Sequence, residues 1–406
     1  MVDFLQGGKI ATLHNLRTTD TAALERQLEQ FSRELGIWLI LPCLYSELET
    51  EAMPRIIEEL KGIKYIDHIV IGLDRATHDQ YRHATEFFSQ LPQAHSILWN
   101  DGPRLKALDK DLQNEELAPK ELGKGRNVWY CMGYTLACGE SDVVGLHDCD
   151  ILTYDRSMVA RLFYPVCHPD FSYQFCKGYY SRIGGGKLNG RVNRLLVTPI
   201  LMALRKVVGP LDYIHYLRDF RYALAGEFAM RTSIVKDMRI PSDWGLEIGV
   251  LSEAYRNLNP RAVCQVEIAD NYDHKHQPLS PDDAKKGLSR MSYDICKALF
   301  RKLAVDGAVF TEETFRTLKA TYYRTALDLI ESYSATAVMN GLELDRHKEE
   351  KAVELFASNI VNAGHTFLEN PMETPFIPNW NRVNVAKPNI MKRLREAVAE
   401  DYAELG

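Results

Sequence analysis

Two aspartates separated by one residue, Asp148 and Asp150, follow the short apolar run at residues 143–146. An Asp-X-Asp sequence at a strand end supplies the hard carboxylate oxygens that bind Mg²⁺ or Mn²⁺, while phosphate and water complete the coordination. Aspartates in this position also commonly cap a turn, so the motif alone leaves both interpretations open. The chemistry it would support is neutralisation of a diphosphate.

Further along the chain, a polar segment carries two imidazoles, His274 and His276, that would extend a metal shell or remain solvated. A basic turn at residues 123–126 places Lys124 between two glycines ahead of a helical stretch. Backbone amides and cations in such a turn favour phosphate, although an exposed basic turn has the same composition.

A second glycine-rich stretch, residues 184–193, contains Arg191 and suits the capture of a small anion. Glu227, Trp244 and Glu247 add the carboxylates and aromatic ring that commonly bind sugars; the alternative is a core tryptophan and surface charges. The GxGxxG spacing is missing after the first strand, which argues against a nicotinamide dehydrogenase.

Three β-rich runs, residues 37–41, 69–73 and 143–146, are each followed by polar residues and alternate with helical patterns. This alternation predicts an α/β fold with a mixed, mostly parallel sheet flanked by helices. Ligands bind at the carboxyl ends of strands in such sheets, so these three ends are expected to converge on one crevice.

Strand signals stop near residue 290, and apolar residues then recur at helical spacing. We therefore predict a catalytic domain at residues 1–290 and a helical region at 291–406 that packs on it or on a second subunit. The charged segment at residues 102–123 shows no strong apolar periodicity, which predicts an exposed loop or short helix, or else a mobile flap.

The 406 residues are 46% hydrophobic and 26% charged, with a formal net charge of −6. This composition is that of a folded globular protein, and its negative balance argues against nucleic acid or anionic lipid as a partner. Eight cysteines without a CxxC pair indicate reduced thiols, and the first residues show no secretory pattern. We expect a cytoplasmic protein.

Several segments, in order, resemble the glucosyl-3-phosphoglycerate synthases, retaining GT-A glycosyltransferases, and more loosely the mannosylglycerate synthases. The resemblance covers about residues 37–300 and rests on the segments 41–44 with Glu47, 123–125, 148–150, 190–193 leading into 198–205, 224–228, 244–249 and 273–275. It implies a GT-A, Rossmann-like fold.

The resemblance also implies a role for individual residues. The nucleotide sugar would be bound by Pro42, Cys43, Leu44, Glu47, Asp74, Lys124, Asp148, Leu224, Ala225, Gly226, Glu227 and Trp244. The acceptor would be bound by Gly190, Arg191, Val192 and Asn193, and a magnesium or manganese ion by Asp150, His274 and Asp148. The catalytic residues would be Glu247, Lys124 and Asp150.

The implied reaction moves glucose from a nucleoside diphosphate donor to 3-phosphoglycerate. Independently of the resemblance, the helical C-terminal region favours a homodimer. The alternatives are a mannosylglycerate-type synthase that uses GDP-mannose, a nucleotidyltransferase, and a non-catalytic protein that binds nucleotide sugars. The family usually has threonine where Asn193 stands, and an asparagine-acidic pair in place of Tyr45 and Ser46. The sequence therefore leaves open the acceptor, the nucleotide and the hexose.

Overall fold

A single eight-stranded sheet forms the centre of the computed structural model, which describes residues 6, 8–274, 279–280, 286–372 and 377–405. The strand order is β1-β10-β6-β9-β5-β2-β3-β4, and β9 alone runs antiparallel to its neighbours. The strands are β1 (Ala11–Leu13), β2 (Ile37–Leu44), β3 (His68–Asp74), β4 (Ala94–Trp99), β5 (Val143–Leu146), β6 (Phe175–Tyr180), β9 (Phe228–Arg231) and β10 (Val263–Ala269). The remaining pair, β7 (Ile183–Gly184) and β8 (Lys187–Leu188), forms a separate hairpin.

Helices cover both faces of the sheet. They are α1 (Thr21–Phe31), α2 (Ala52–Lys61), α3 (His78–Phe88), α4 (Pro103–Asn114), α5 (Lys124–Cys138), α6 (Arg156–Cys167), α7 (Thr198–Val207), α8 (Asp212–Asp219), α9 (Thr232–Val235), α10 (Leu246–Asn257), α11 (Gly287–Val305), α12 (Glu312–Met339), α13 (Arg346–Glu369), α14 (Trp380–Ala386) and α15 (Ile390–Leu405). Successive strand residues point to opposite faces, so Trp38 and Ile40 enter one apolar core while Leu39 and Leu41 enter the other.

The three strands predicted from sequence are present as β2, β3 and β5, and their order in the sheet is β5-β2-β3. Parallel pairing places Leu44 opposite Asp74, and the carboxyl end of β5 lies beside β2. The polar residues that follow these strands therefore share one edge of the sheet. After β2, a 3-10 helix at Tyr45–Glu49 precedes α2.

The C-terminal helices share the core on one face of the sheet. Trp380 of α14 stacks on Trp129 of α5, with ring centroids 4.2 Å apart, and donates a hydrogen bond to the Trp129 carbonyl. The C-terminal helices therefore pack on the α/β part, and the predicted boundary at residue 290 lies within α11. Among the described residues, no helix is both long and apolar enough to cross a bilayer.

For residues 102–123 the sequence predicted an exposed loop or short helix, or else a mobile flap, and the structure contains a helix in this segment. Residues Pro103–Asn114 form the twelve-residue helix α4, in which Leu105, Leu108 and Leu112 are buried. These leucines lie on one helical face, and the charged residues between them face outward or form ion pairs. Because this apolar stripe is narrow and lies among many charges, the sequence alone did not distinguish a helix from a loop.

Candidate active site

Asp150 and His274 meet at the carboxyl edge of the sheet. Nδ1 of His274 lies 3.3 Å from Oδ2 of Asp150, and both side chains are about one-quarter exposed. An isolated β-bridge between Ile151 and His274 brings the two segments together. Burial disfavours the charged carboxylate, but His274 and then Lys124 reverse this effect and hold the pKa of Asp150 below its usual value.

Lys124 lies between two carboxylates. Its Nζ is 2.6 Å from Oδ1 of Asp148 and 3.2 Å from Oε1 of Glu247. Burial acts to lower the pKa of Lys124, but these two carboxylates outweigh burial and raise it, so the ammonium is charged at neutral pH. Lys124 is the first residue of α5, Glu247 lies in the first turn of α10, and Asp148 follows β5. Three elements thus place a fixed cation beside Asp148.

The glycines that flank Lys124 allow two backbones to approach closely. A Cβ on Gly125 would lie 2.0 Å from the Pro241 carbonyl oxygen, and one on Gly123 would lie 2.5 Å from that of Ser242. This close approach brings the segment that precedes Glu247 against Lys124. The second cation of the basic turn, Arg126, is buried and pairs with Asp109 at 2.8 Å, so it does not join Lys124 in a phosphate site.

The predicted sugar-binding segment, residues 224–227, packs against Asp148. A Cβ on Gly226 would lie 2.4 Å from an Asp148 oxygen, so a larger residue at this position would displace the Asp148 carboxylate. Leu224 is partly buried and Ala225 fully buried. Glu227 is also fully buried and accepts a 2.5 Å hydrogen bond from Tyr272, a position that favours support of the site over direct contact with a sugar.

The predicted nucleotide-binding residues gather at the ends of β2 and β3. Pro42 and Leu44 are partly buried, whereas the side chains of Cys43 and Glu47 are buried. Asn100, which follows β4, donates a 2.8 Å hydrogen bond to Asp74. Burial raises the pKa of Asp74, against the opposing hydrogen bonds from Asn127 and Asn100. Of these residues, Pro42, Leu44 and Asp74 keep part of their surface exposed at this edge.

The predicted acceptor residues begin at the end of the hairpin and continue into a π-helix at Val192–Val197. Gly190 has a φ of +75°, which glycine adopts without strain. The side chain of Arg191 is 38% exposed, whereas Val192 and Asn193 are mostly buried. The structure thus makes Arg191 the most accessible side chain of this group.

The hairpin lies beside the proposed metal site. A Cβ on Gly184 would lie 2.2 Å from Asp273, the residue before His274.

Trp244, predicted as either a core residue or a sugar contact, is 36% exposed and immediately precedes Gly245 and α10. Its ring is therefore accessible to a ligand.

Two residues that support the site escaped the sequence analysis. Lys177 lies fully buried in β6 and donates a hydrogen bond to the Ala225 carbonyl. Burial lowers the pKa of Lys177 to about 8. Glu349 of α13 forms ion pairs with Arg191 and Arg194. A lysine inside an apolar strand was a usable signal for Lys177, but Glu349 lies in a helix whose sequence contains many similar charges.

The carboxylate and imidazole of Asp150 and His274 suit Mg²⁺ or Mn²⁺, provided that a diphosphate and water supply further oxygens. Asp148 already pairs with Lys124, which favours Asp150 as the carboxylate ligand. Within the part of the chain that the structure describes, no cluster of three or more His, Cys, Asp or Glu side chains offers a complete protein shell. Lys275 and His276 lie outside the described residues.

Comparison with known proteins gives two relatives that match over the full chain. The glucosyl-3-phosphoglycerate synthase of Persephonella marina is 44% identical over 404 residues, which cover 100% of both chains. The glucosyl-3-phosphoglycerate synthase of Methanococcoides burtonii is 36% identical, with 99% of each chain covered. A search of family models found no match.

A crystal structure of glucosyl-3-phosphoglycerate synthase from Mycobacterium tuberculosis, in complex with Mn²⁺, UDP and phosphoglyceric acid, shares the fold. Its TM-score is 0.54 at 22% identity, and the match covers 75% of this chain and 88% of that chain. The mostly parallel mixed sheet flanked by helices is a GT-A-like fold, and the two full-length relatives make this chain a glycosyltransferase. The chain belongs to the glucosyl-3-phosphoglycerate synthase family, and the fold and family predicted from sequence are thereby confirmed.

Proposed function

We propose that this protein transfers glucose from a nucleoside diphosphate glucose to 3-phosphoglycerate, with retention of the anomeric configuration and with Mg²⁺ or Mn²⁺ as cofactor. The observation that carries this proposal is the meeting of Asp150 with His274 beside the ion pair of Lys124 with Asp148. The two full-length relatives named for this reaction support the choice of donor sugar and acceptor.

Asp150 and His274 would hold the metal ion, which when bound neutralises charge on the donor diphosphate. Lys124 adds a fixed positive charge at the same edge and stabilises the negative charge that develops on the leaving nucleoside diphosphate. Since its ammonium is held between two carboxylates, little reorganisation is needed during the reaction.

Glu247 and Arg191 would orient the two substrates. The Glu247 carboxylate accepts hydrogen bonds from sugar hydroxyls, and Trp244 offers an aromatic face nearby. Arg191 binds the phosphate or carboxylate of the acceptor, because a guanidinium matches the planar fork of both groups. The acceptor hydroxyl then attacks on the face that the diphosphate leaves, and a departing phosphate oxygen takes its proton.

The decisive experiment incubates the protein with UDP-, GDP- or ADP-glucose or with GDP-mannose, together with 3-phosphoglycerate and Mg²⁺ or Mn²⁺. Mass spectrometry should detect glucosyl-3-phosphoglycerate and a nucleoside diphosphate, and NMR of the product should show retention. Mannosyl transfer would support the mannosylglycerate-type alternative. Release of inorganic diphosphate would indicate a nucleotidyltransferase. Binding of the donor without any turnover would indicate a non-catalytic protein that senses nucleotide sugars.

A homodimer and a cytoplasmic location remain parts of this proposal. Support for a dimer comes from exposed apolar side chains at the end of α12, where Val338 is 77% and Met339 is 80% exposed. Light scattering of the purified protein tests the dimer, and cell fractionation tests the location.

A further inference from the structure

Glu349 of α13 links the helical C-terminal region to the predicted acceptor site. Its side chain is 3% exposed, and its two carboxylate oxygens pair with two different arginines. Oε1 lies 2.7 Å from Nε of Arg191, and Oε2 lies 2.8 Å from an Nη of Arg194. The contact with Arg191 is a charge-assisted hydrogen bond, which is short and directional, and the contact with Arg194 is an ion pair.

Arg194 is itself anchored to the acceptor loop. Its Nε donates a 2.7 Å hydrogen bond to the Asn189 carbonyl, and its guanidinium lies 4.8 Å from the ring centroid of Tyr333 in α12. The loop that precedes Gly190 and the two C-terminal helices therefore meet at one residue. Glu349 completes this anchor from the helical side.

A second contact joins the same two regions through the backbone. The Glu343 amide, in the turn between α12 and α13, donates a 2.8 Å hydrogen bond to the Gly186 carbonyl of the hairpin. The Leu188 amide donates to the Glu343 carbonyl at 3.4 Å. The C-terminal region thus holds the hairpin at its turn and along its second strand.

We propose that Glu349 is a positioning residue, which fixes Arg191 so that its exposed part faces the anionic acceptor. This inference rests on the proposed function, because it assumes that Arg191 binds that acceptor. Only the Nε side of Arg191 is used by Glu349, and the side chain remains 38% exposed. Through Glu349, the helical region therefore contributes to acceptor binding indirectly, by holding Arg191, and Glu349 itself does not contact the acceptor.

A purely electrostatic role and a positioning role of Glu349 predict opposite changes in acceptor binding when its carboxylate is neutralised. With one carboxylate and two guanidiniums, the group carries one net positive charge. Glu349→Gln raises this charge, so a purely electrostatic role predicts tighter binding of an anionic acceptor. A positioning role predicts weaker binding, since Arg191 loses the ionic hydrogen bond that holds its orientation. The sign of the change in acceptor KM separates the two roles.

The test compares Glu349→Gln with Glu350→Gln, which removes an exposed ion pair with Arg346 on the same helix. We expect Glu349→Gln to raise KM for 3-phosphoglycerate by about tenfold, the effect of losing one charge-assisted hydrogen bond. KM for the donor should change by less than about twofold, and Glu350→Gln should behave as wild type. Glu349→Asp, which retains the charge, should recover part of the loss and serves as a second variant if Glu349→Gln folds poorly.

A double-mutant cycle then tests whether Glu349 acts through Arg191. In an Arg191→Ala background, Glu349→Gln should change kcat/KM for 3-phosphoglycerate by less than about twofold. If Glu349→Gln has its full effect even in the Arg191→Ala background, the inference is wrong. It is also wrong if Glu349→Gln alone lowers the KM for 3-phosphoglycerate or leaves it unchanged, or if it raises the KM for donor and acceptor equally. Failure of wild type to form glucosyl-3-phosphoglycerate would instead sink the proposed function, and calorimetric binding of 3-phosphoglycerate to the same variants would still test Glu349.

Discussion

His274 lies with its Nδ1 3.3 Å from a carboxylate oxygen of Asp150, and the backbone fixes this arrangement. The amide of Leu152 donates a 2.9 Å hydrogen bond to the Asp273 carbonyl, next to the bridge between Ile151 and His274. Because the main chain joins the two segments, the fold itself holds the carboxylate and the imidazole close together. Such preorganisation lowers the cost of assembling the site.

Asp150→Asn should lower kcat/KM by at least about 100-fold, because the amide is a weaker ligand and carries no charge to balance the metal. Steady-state assays across a range of Mg²⁺ and Mn²⁺ concentrations measure this loss. The exposed Asp170 provides a matched control, and Asp170→Asn should retain wild-type activity. Near-normal turnover of Asp150→Asn at saturating metal would show that this carboxylate does not hold the cofactor.

Lys124→Met should lower kcat by about 100-fold with a smaller change in donor KM, since the charge on the leaving diphosphate develops mainly in the transition state. The substitution also leaves Asp148 and Glu247 without the cation between them. Lys120→Met removes an exposed lysine from the preceding segment and should leave turnover unchanged. An effect of Lys124→Met confined to donor KM would mean that the lysine binds the donor equally in the ground state and the transition state.

The strands and the polar residues at their ends were predictable because buried β-rich runs have a clear local pattern. The pairing of Asp150 with His274 was suggested by family resemblance, since no local pattern brings such distant residues together. Arg126 shows the limit of motif reading, because no local pattern indicates that it pairs with Asp109, in a segment predicted as either a loop or a short helix. The role of Glu349 could not be predicted from the sequence, because it depends on tertiary contacts with arginines that are distant in the sequence.

Tyr272→Phe should weaken metal activation without touching a proposed ligand. Tyr272 donates its hydroxyl to the buried Glu227 and stacks on Tyr180, with ring centroids 3.7 Å apart, two residues before His274. Loss of the hydrogen bond should loosen the segment that presents His274, so the metal concentration for half-maximal activity should rise by about tenfold. Metal titrations of activity measure this constant, and an unchanged value would limit Tyr272 to a role in packing.

Trp380→Ala should destabilise the protein by about 3–5 kcal/mol, because it removes a buried ring and leaves a cavity beside α5. The Trp380 ring lies against Gly133, where an added Cβ would come within 2.0 Å of it. Gly133→Ala should therefore also be destabilising, through overpacking instead of a cavity. Urea unfolding measures both variants. Wild-type stability of Trp380→Ala would contradict a shared core between the C-terminal helices and the sheet.

Asp243→Asn should become more stable relative to wild type as the pH rises from about 4 to about 7. Burial, together with the nearby Asp294, raises the pKa of Asp243 to about 7 in the folded protein. The unfolded chain releases this proton near the ordinary pKa of about 4. Within that window the folded state binds more protons, so the stability that Asp243 contributes at low pH is lost as pH increases.

The asparagine variant cannot titrate at this position, so it should escape the loss that Asp243 causes in wild type. Its amide oxygen can still accept the hydrogen bond that the Gly245 amide donates to Asp243 at 2.8 Å. Urea unfolding of both proteins at several pH values between 4.5 and 8 gives the difference in free energy of unfolding. That difference should shift in favour of Asp243→Asn up to about pH 7 and then level off. A difference independent of pH would mean that Asp243 ionises in the folded protein as it does in the unfolded chain.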